Sequence, residues 1–270
     1  MGQGEGCGKT SPPARPSSLW PRRGPIMIQA EPFEARLVAV RPLSPFVREL
    51  SFERADGKAF LFEAGQWVNL VLPLPGGEVK RAYSIASAPD GSPRFDLAVT
   101  RVEGGAGSEY LHRLEPGATL RAVGPHGLFT RDPGSPAPSL FVATGTGVTP
   151  LRSMLRASLR AGAAAHLWIL FGARFEEDII YRDELEALAR GSDRIRYEIT
   201  LSRGGPSWSG RRGYVQAHVP ELYRELAGAS GDPAPHVFIC GLDRMVSLVR
   251  ELARGELGVP RKHVHVERYD

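Results

Sequence analysis

The stretch Ser139 to Leu155, SLFVATGTGVTPLRSML, limits the possible folds more than any other part of the chain. Leu140 to Ala143 form a short apolar run suited to a parallel strand covered on both faces. Gly145 and Gly147 remove side chains where the chain turns, and Thr149-Pro150 supplies an N-cap with proline at the first helical position. Leu151, Met154, Leu155 and Leu159 then recur at helical spacing, so one helix face should pack on the sheet. A strand, a glycine turn and a helix N-terminus in succession leave backbone N–H groups free, which is a phosphate-binding geometry. The turn lacks the G-x-G-x-x-G spacing, and alone it equally fits an ordinary strand-to-helix connection.

The unit recurs downstream. His166–Phe171 reads as a strand, Ile179–Arg190 as an amphipathic helix, Arg194–Leu201 as a strand and Val215–Leu226 as a helix. His236–Cys240 is again strand-like. Asp243–Arg254 carries Met245, Leu248, Val249 and Leu252 on one helical face, and Lys262–Glu267 closes the series. Five strands with intervening helices predict a doubly wound parallel sheet whose ligands sit at the carboxyl ends of the strands, where Gly145 and Gly241 lie.

Upstream, from Phe33 to Phe129, the pattern is different. Arg36–Val40, Val47–Phe52, Gln66–Leu72, Ala82–Ala86, Phe95–Val102 and Thr119–Val123 read as short strands punctuated by Gly and Pro turns, with one small helix at Glu109–Leu114. Such a series suits a closed antiparallel β-barrel. The predicted organisation is a two-domain chain: a disordered tail over 1–28, a barrel over 29–131, a Pro-rich linker over 132–138, and a doubly wound α/β domain over 139–270.

Length and composition agree with two globular domains, since the 270 residues are 42% hydrophobic and 24% charged. No apolar run approaches the roughly 20 residues of a membrane span, and no secretory signal is present, so a cytoplasmic protein is expected. Cys7 and Cys240 are the only cysteines. They are too few for a disulfide framework, a four-cysteine cluster or a structural zinc site, and no metal is expected. His263 and His265 alternate with Val264 and Val266 and read as a half-exposed strand edge. The first 28 residues are rich in Gly, Pro, Ser and Arg, and Met27 stands where an alternative start would fall. Lys9, Arg15, Arg22 and Arg23 against Glu5 make +3 of the formal +4, so the basic balance argues little for nucleic acid.

Four motifs now occur in order: Arg81-Ala82-Tyr83-Ser84, Gly105-Ala106-Gly107-Ser108, Gly145-Thr146-Gly147-Val148-Thr149-Pro150, and Cys240-Gly241. On a barrel followed by a doubly wound domain, this order resembles the ferredoxin-NADP(H) reductase superfamily of flavoenzymes, over residues 33 to 270. The resemblance implies that Arg81, Tyr83 and Ser84 bind FAD. Period-2 alternation puts Arg81 and Tyr83 on one face, where a guanidinium fork suits pyrophosphate and an aromatic ring suits the flavin. Gly105, Gly107 and Ser108 would meet the FAD pyrophosphate. Gly145, Thr146, Gly147, Pro150 and Gly241 would meet the nicotinamide dinucleotide. Cys240 would abut the nicotinamide, Glu267 would pair with Ser84 beside the flavin, and Tyr269 would cover the isoalloxazine, although Asp270 adds one residue beyond the family's C-terminal aromatic.

Choice of dinucleotide turns on the segment after the third strand, where no acidic residue follows closely. Ser202, Arg203 and Arg211 resemble the phosphate-binding set of NADPH-dependent members, favouring NADP(H). Trp208 and Gly213-Tyr214-Val215 also resemble NADH-using oxygenase reductases. The implied activity is hydride transfer between NADP(H) and FAD, with single electrons passed to or from ferredoxin or flavodoxin by a monomer. Alternatives are the NADH-dependent reductase component of an oxygenase and a flavin-binding regulatory module without turnover.

Overall fold

The structure, a computed structural model, describes Met1 and residues 31–269; apart from Met1, the predicted tail over 1–28 lies outside the described residues, as does Asp270. The first sheet is antiparallel, with β1 (Pro32–Ser44), β2 (Val47–Arg54), β3 (Trp67–Leu74), β4 (Gly77–Ser84), β5 (Arg94–Thr100) and β6 (Thr119–His126). Their order is β4-β3-β6-β1-β2-β5. An antiparallel bridge from Ile85 to Leu97 joins the chain leaving β4 to β5, so the two end strands meet and the sheet closes on itself. Phe33, Phe52, Phe60 and Phe95 fill its interior, with ring centroids 4.7–6.1 Å apart among their close pairs. The small helix α1 (Ala106–His112) starts earlier than the apolar spacing suggests. β4 likewise starts five residues before the predicted strand, because the Pro75-Gly76 turn folds β3 and β4 into one hairpin.

The second sheet contains β7 (Ser139–Thr144), β8 (Leu167–Ala173), β9 (Ile195–Leu201), β10 (Arg211–Arg212), β11 (His236–Leu242) and β12 (Val264–Tyr269). Its order is β10-β9-β8-β7-β11-β12, with every neighbouring pair parallel. The sixth strand is the departure from the predicted five. β10 is two residues long and pairs only with Thr200 and Leu201, too short a run for periodicity to register. Helices α2 (Val148–Arg160) and α3 (Arg182–Arg190) pack on one face, and α4 (Val219–Ser230) and α5 (Asp243–Gly255) on the other. The predicted helix from Ile179 starts three residues late. Ile179, in extended chain, and Ile180 are buried, and Tyr181 takes a left-handed conformation with φ 59° before α3 begins.

The connection between the sheets is ordered by one side chain. Arg131, 6% exposed, donates to the carbonyls of Asp132, Ser135 and Ala137 and to the hydroxyls of Ser139 and Ser158, at 2.8–3.1 Å. Among the described residues, no helix is long and apolar enough to cross a membrane.

Candidate active site between the two sheets

Strand order reverses between β7 and β11, and both carry glycines at their carboxyl ends. A Cβ on Gly147 would lie 2.3 Å from the Cys240 carbonyl oxygen, so only glycine lets the turn after β7 reach the end of β11. Gly241 has φ +146°, and a Cβ there would lie 2.4 Å from Thr144 Oγ1. That hydroxyl is buried and has no hydrogen-bond partner among the described residues. Gly145 and Thr146 lead into α2 as a 3-10 turn, with Pro150 buried in its first turn. Thr149 is not the N-cap that the sequence suggests. The helix begins at Val148, and Thr149 Oγ1 donates to Thr146 O at 2.8 Å, which steadies the turn from inside.

Beside this switch point the two sheets touch. Ser84 Oγ, at the end of β4, donates to Glu267 Oε1 of β12 at 2.8 Å. Parallel pairing sets Cys240 opposite Glu267 and Leu242 opposite Tyr269, and Cys240 Sγ lies 4.0 Å from Glu267 Oε1. Tyr269 OH lies 3.4 Å from Thr149 Oγ1. Burial pushes the Glu267 carboxyl up to about 7, with the Ser84 hydrogen bond working the other way. Burial also pushes the Cys240 thiol up, reinforced by the nearby Glu267 carboxylate. Cys240 is therefore a neutral thiol that packs, and Glu267 is the group able to hold or release a proton near neutrality.

On the barrel side, Arg81 is exposed and Tyr83 half-buried on one face of β4. Burial pushes the Tyr83 phenol up to about 12. A Cβ on Gly107 would lie 3.5 Å from Arg81 Cγ, so the start of α1 and the guanidinium stem sit side by side. Gly105 packs as closely on its own loop, 2.9 Å from Ser108 Oγ by the same measure. Ser108 is bonded within this loop. Its hydroxyl accepts from Val102 N and donates to Gly105 O, both at 3.0 Å, so it closes the loop that leads into α1.

The predicted ribose-phosphate set is not assembled as expected. Ser202 and Arg203 follow β9, with Arg203 exposed and its backbone N–H donating to Arg174 O at 2.9 Å. Arg211 points instead toward α4. Its Nε donates to Glu198 Oε2 at 3.0 Å, and its two terminal nitrogens fork Glu221 at 2.7 and 3.0 Å. Two carboxylates thus neutralise it, the Glu221 hydrogen bonds foremost in raising its pKa. Arg212 donates to the carbonyls of Gly204, Gly205 and Trp208 and serves the loop.

Sequence reasoning passed over Thr144, and it read Thr149 only as a cap. The signal available was a hydroxyl residue on each side of the glycine turn. Among the described residues, no group of three or more His, Cys, Asp or Glu side chains could hold a metal ion. The orphaned Thr144 hydroxyl at a glycine-lined strand switch, and an exposed arginine beside a close-packed helix start, fit a dinucleotide and a flavin pyrophosphate respectively.

The profile described as "Oxidoreductase FAD-binding domain" matches residues 34–130, and that described as "Oxidoreductase NAD-binding domain" matches residues 141–251. The glycine betaine monooxygenase reductase subunit of Pseudomonas aeruginosa is 33% identical over 226 residues, covering 83% of this chain and 60% of the relative. The stachydrine N-demethylase reductase subunit of Rhizobium meliloti is 31% identical over 243 residues, covering 89% and 67%. This chain therefore spans about 60% of the length of the glycine betaine monooxygenase relatives it matches. Among solved structures, the ferredoxin reductase in carbazole 1,9a-dioxygenase aligns with a TM-score of 0.77 at 24% identity, over 90% of this chain and 71% of that one. The FAD/NAD-binding domain of nitric oxide dioxygenase from Vibrio cholerae aligns with a TM-score of 0.75 at 19% identity, over 88% and 98%. These two likenesses are of fold.

Proposed function

Because the chain belongs to the oxidoreductase family that joins an FAD-binding to an NAD-binding domain, the ferredoxin-NADP(H) reductase superfamily, we propose that it catalyses electron transfer from a reduced nicotinamide dinucleotide to a protein carrier. FAD, when bound, supplies the hydride acceptor and the conversion from a two-electron donor to one-electron steps. The observation that carries the reading is the Ser84–Glu267 hydrogen bond across the two sheets, beside Cys240 and the Gly147 turn. We divide the chain functionally into an FAD-binding part over 29–131 and a dinucleotide-binding part over 139–270, joined through 132–138.

In this reading Arg81 forks the flavin pyrophosphate, Gly107 lets the backbone approach it, and Tyr83 lies against the flavin. Gly145, Thr146 and Gly147 admit the dinucleotide at the switch point, Pro150 fixes the helix start, and Gly241 keeps the end of β11 open. Cys240 supports the nicotinamide face as an uncharged thiol. Glu267 holds or releases a proton at its carboxyl near neutrality while Oε1 accepts the hydrogen bond from Ser84 Oγ, and Tyr269 closes the site against water until dinucleotide arrives. Ser202 and Arg203 meet the adenosine ribose.

The carrier is a ferredoxin, a flavodoxin or the oxygenase itself, and the protein works as a cytoplasmic monomer. A second reading, the NADH-dependent reductase component of an oxygenase, is favoured by Arg211. Its charge is spent on Glu198 and Glu221 and adds nothing toward a 2′-phosphate. The test is steady-state ferricyanide reduction by the FAD-loaded chain with NADPH and NADH titrated side by side. Turnover with a kcat/KM preference for NADPH supports a ferredoxin or flavodoxin reductase, and a preference for NADH supports the oxygenase reductase. Absence of turnover with either leaves a flavin-binding module and overturns the enzymatic reading.

A further inference from the structure

Ser84 and Glu267 meet through one hydrogen bond between side chains on different sheets, and one such bond leaves rotation about the contact unopposed. A second attachment lies behind it. The chain leaving β4 runs as Ile85 to Pro89 along α2, and α2 grips it. Arg152 Nη1 donates to Ala86 O at 2.7 Å, Ser153 Oγ to Ser87 O at 2.6 Å, and Arg160 Nη1 approaches Ala88 O and Pro89 O at 3.3 Å. Arg152 is the centre of the grip, 4% exposed. Its Nε and Nη2 fork Glu184 of α3 at 2.7–3.1 Å, and its guanidinium lies 4.4 Å above the Tyr181 ring. Across the seam stand Glu49 of β2, held by Arg41, and Asp96 of β5.

The same helix carries the redox end. Thr149, which meets Tyr269 OH at 3.4 Å, precedes Arg152 by three residues, a rise of about 4.5 Å along one rigid helix. Arg152 thus joins three things at once: Ala86, two residues beyond Ser84; Glu184 of α3; and the helix that opens at the Gly147 turn. Nothing in the proposed reaction uses it, and its guanidinium is committed to other protein groups.

We infer that Arg152 is a positioning residue that sets the distance between Ser84 of the barrel and the Glu267–Thr149 side of the α/β domain. The inference rests on the proposed role of the Ser84–Glu267 pair for its effect on rate, though not for its effect on geometry. A guanidinium can fork Glu184 and reach Ala86 O together; an ammonium makes one of these contacts well and the other poorly. Relaxing the seam admits water to Glu267, which moves its titration down, and weakens the Ser84 hydrogen bond, which moves it up; burial is the larger cause, so the net movement is down.

The experiment compares the FAD-loaded, full-length parent with Arg152→Met and Arg152→Lys. FAD content is measured by absorbance, hydride transfer by stopped flow, and the Glu267 carboxyl by carbon-13 NMR against pH, assigned by its loss in E267Q. Arg152→Met is expected to retain FAD, to slow hydride transfer about 10-fold or more with KM changed less than about two-fold, and to lower the Glu267 midpoint. Arg152→Lys is expected to recover part of both effects. A lowered midpoint with an unchanged rate supports the positioning role and overturns the part given to the Ser84–Glu267 pair in the reaction. A midpoint and a rate that both stay at parental values, even with reduced thermal stability, overturn the positioning role. Should Arg152→Met not fold, Ser153→Ala removes one strap and no charge. It is expected to move both readouts in the same direction, with about a three-fold loss of rate, and an unmoved pair of readouts overturns the inference.

Discussion

Gly147→Ala puts the contact between the two strand ends to a direct test. Gly147 has φ −60° and ψ −13°, so alanine meets no conformational penalty and gains about 0.4–1 kcal/mol by restricting the unfolded chain. Against that gain, the new Cβ falls 2.3 Å from the Cys240 carbonyl oxygen, 2.6 Å from its carbonyl carbon and 2.8 Å from Gly241 Cα. Ordinary contact starts at 3.4 Å, so the backbones must part by about 1 Å, and none of the three atoms belongs to a flexible side chain. Overpacking costs about 1–3 kcal/mol, with rigid backbone contacts at the upper end, which leaves a net loss of about 2 kcal/mol. In a chain of this size that lowers Tm by roughly 4–8 °C. The same displacement pushes the turn away from Cys240, so dinucleotide affinity is expected to fall about 10-fold or more while FAD content holds. Gly145→Ala is the control for stability alone, because the proposed reading sets Gly145 in the same dinucleotide turn. It has φ +54° and nothing within 4 Å, so it costs about 1–2 kcal/mol of backbone strain with no displacement of β11. Thermal unfolding and dinucleotide titration of both variants settle the matter. A Gly147→Ala protein with parental Tm and parental affinity refutes the described approach of β7 to β11.

Glu267, held at about 7 by burial, binds more protons when folded than when unfolded between about pH 4.5 and 7. Its ionisation therefore removes up to about 3 kcal/mol of stability as pH rises through that window. In urea unfolding, Glu267→Gln should gain on the parent from pH 4.5 to 7.5, and a constant gap contradicts this. His236 behaves in the opposite sense. Burial, then the neighbouring His263 and His265, push it down to about 4, so its contribution is complete above about 6.5 and is lost as pH falls toward 4. With the ring partly open to solvent, about 1 kcal/mol is at stake, and His236→Gln should flatten the acid limb of the stability curve by that amount. Arg211→Met leaves Glu198 and Glu221 without their shared cation. It should cost about 1–2 kcal/mol of stability while weakening NADPH and NADH equally, whereas a selective loss of NADPH binding would restore it to the phosphate set. Cys240→Ala should slow hydride transfer seen by stopped flow with FAD still bound, and an unchanged rate removes Cys240 from the site.

Local patterns carried most of the architecture. The strand, turn and helix at 139–155 were legible because apolar period, glycine placement and proline all act within a few residues. The break at Tyr181 was not, because a tyrosine takes φ 59° only when its surroundings impose it, here by burying its ring beneath Arg152. The real standing of Arg211 was hidden for a related reason. Its partners lie 13 residues before it and 10 after it, on a strand and a helix whose approach no periodicity describes. Ser84 and Glu267 are 183 residues apart, and only the order of motifs in a known family brought them together before the structure did.

Composition marks residues 132–138 as a tether, and Arg131 makes them something else. Seven residues of flexible chain would leave their ends about 15 Å apart on average, free to sample many separations. With three of its carbonyls, those of Asp132, Ser135 and Ala137, bonded to one buried guanidinium that also holds Ser139 and Ser158 of the second domain, this segment has one length and one direction. Each domain is presented to the other at a local concentration set by geometry instead of by diffusion, so the seam need not be strong to remain closed. Under the proposed function, motion that admits a dinucleotide falls first to side chains such as Tyr269 and to the end of β12, because this corner is held while the seam beyond it depends on other contacts.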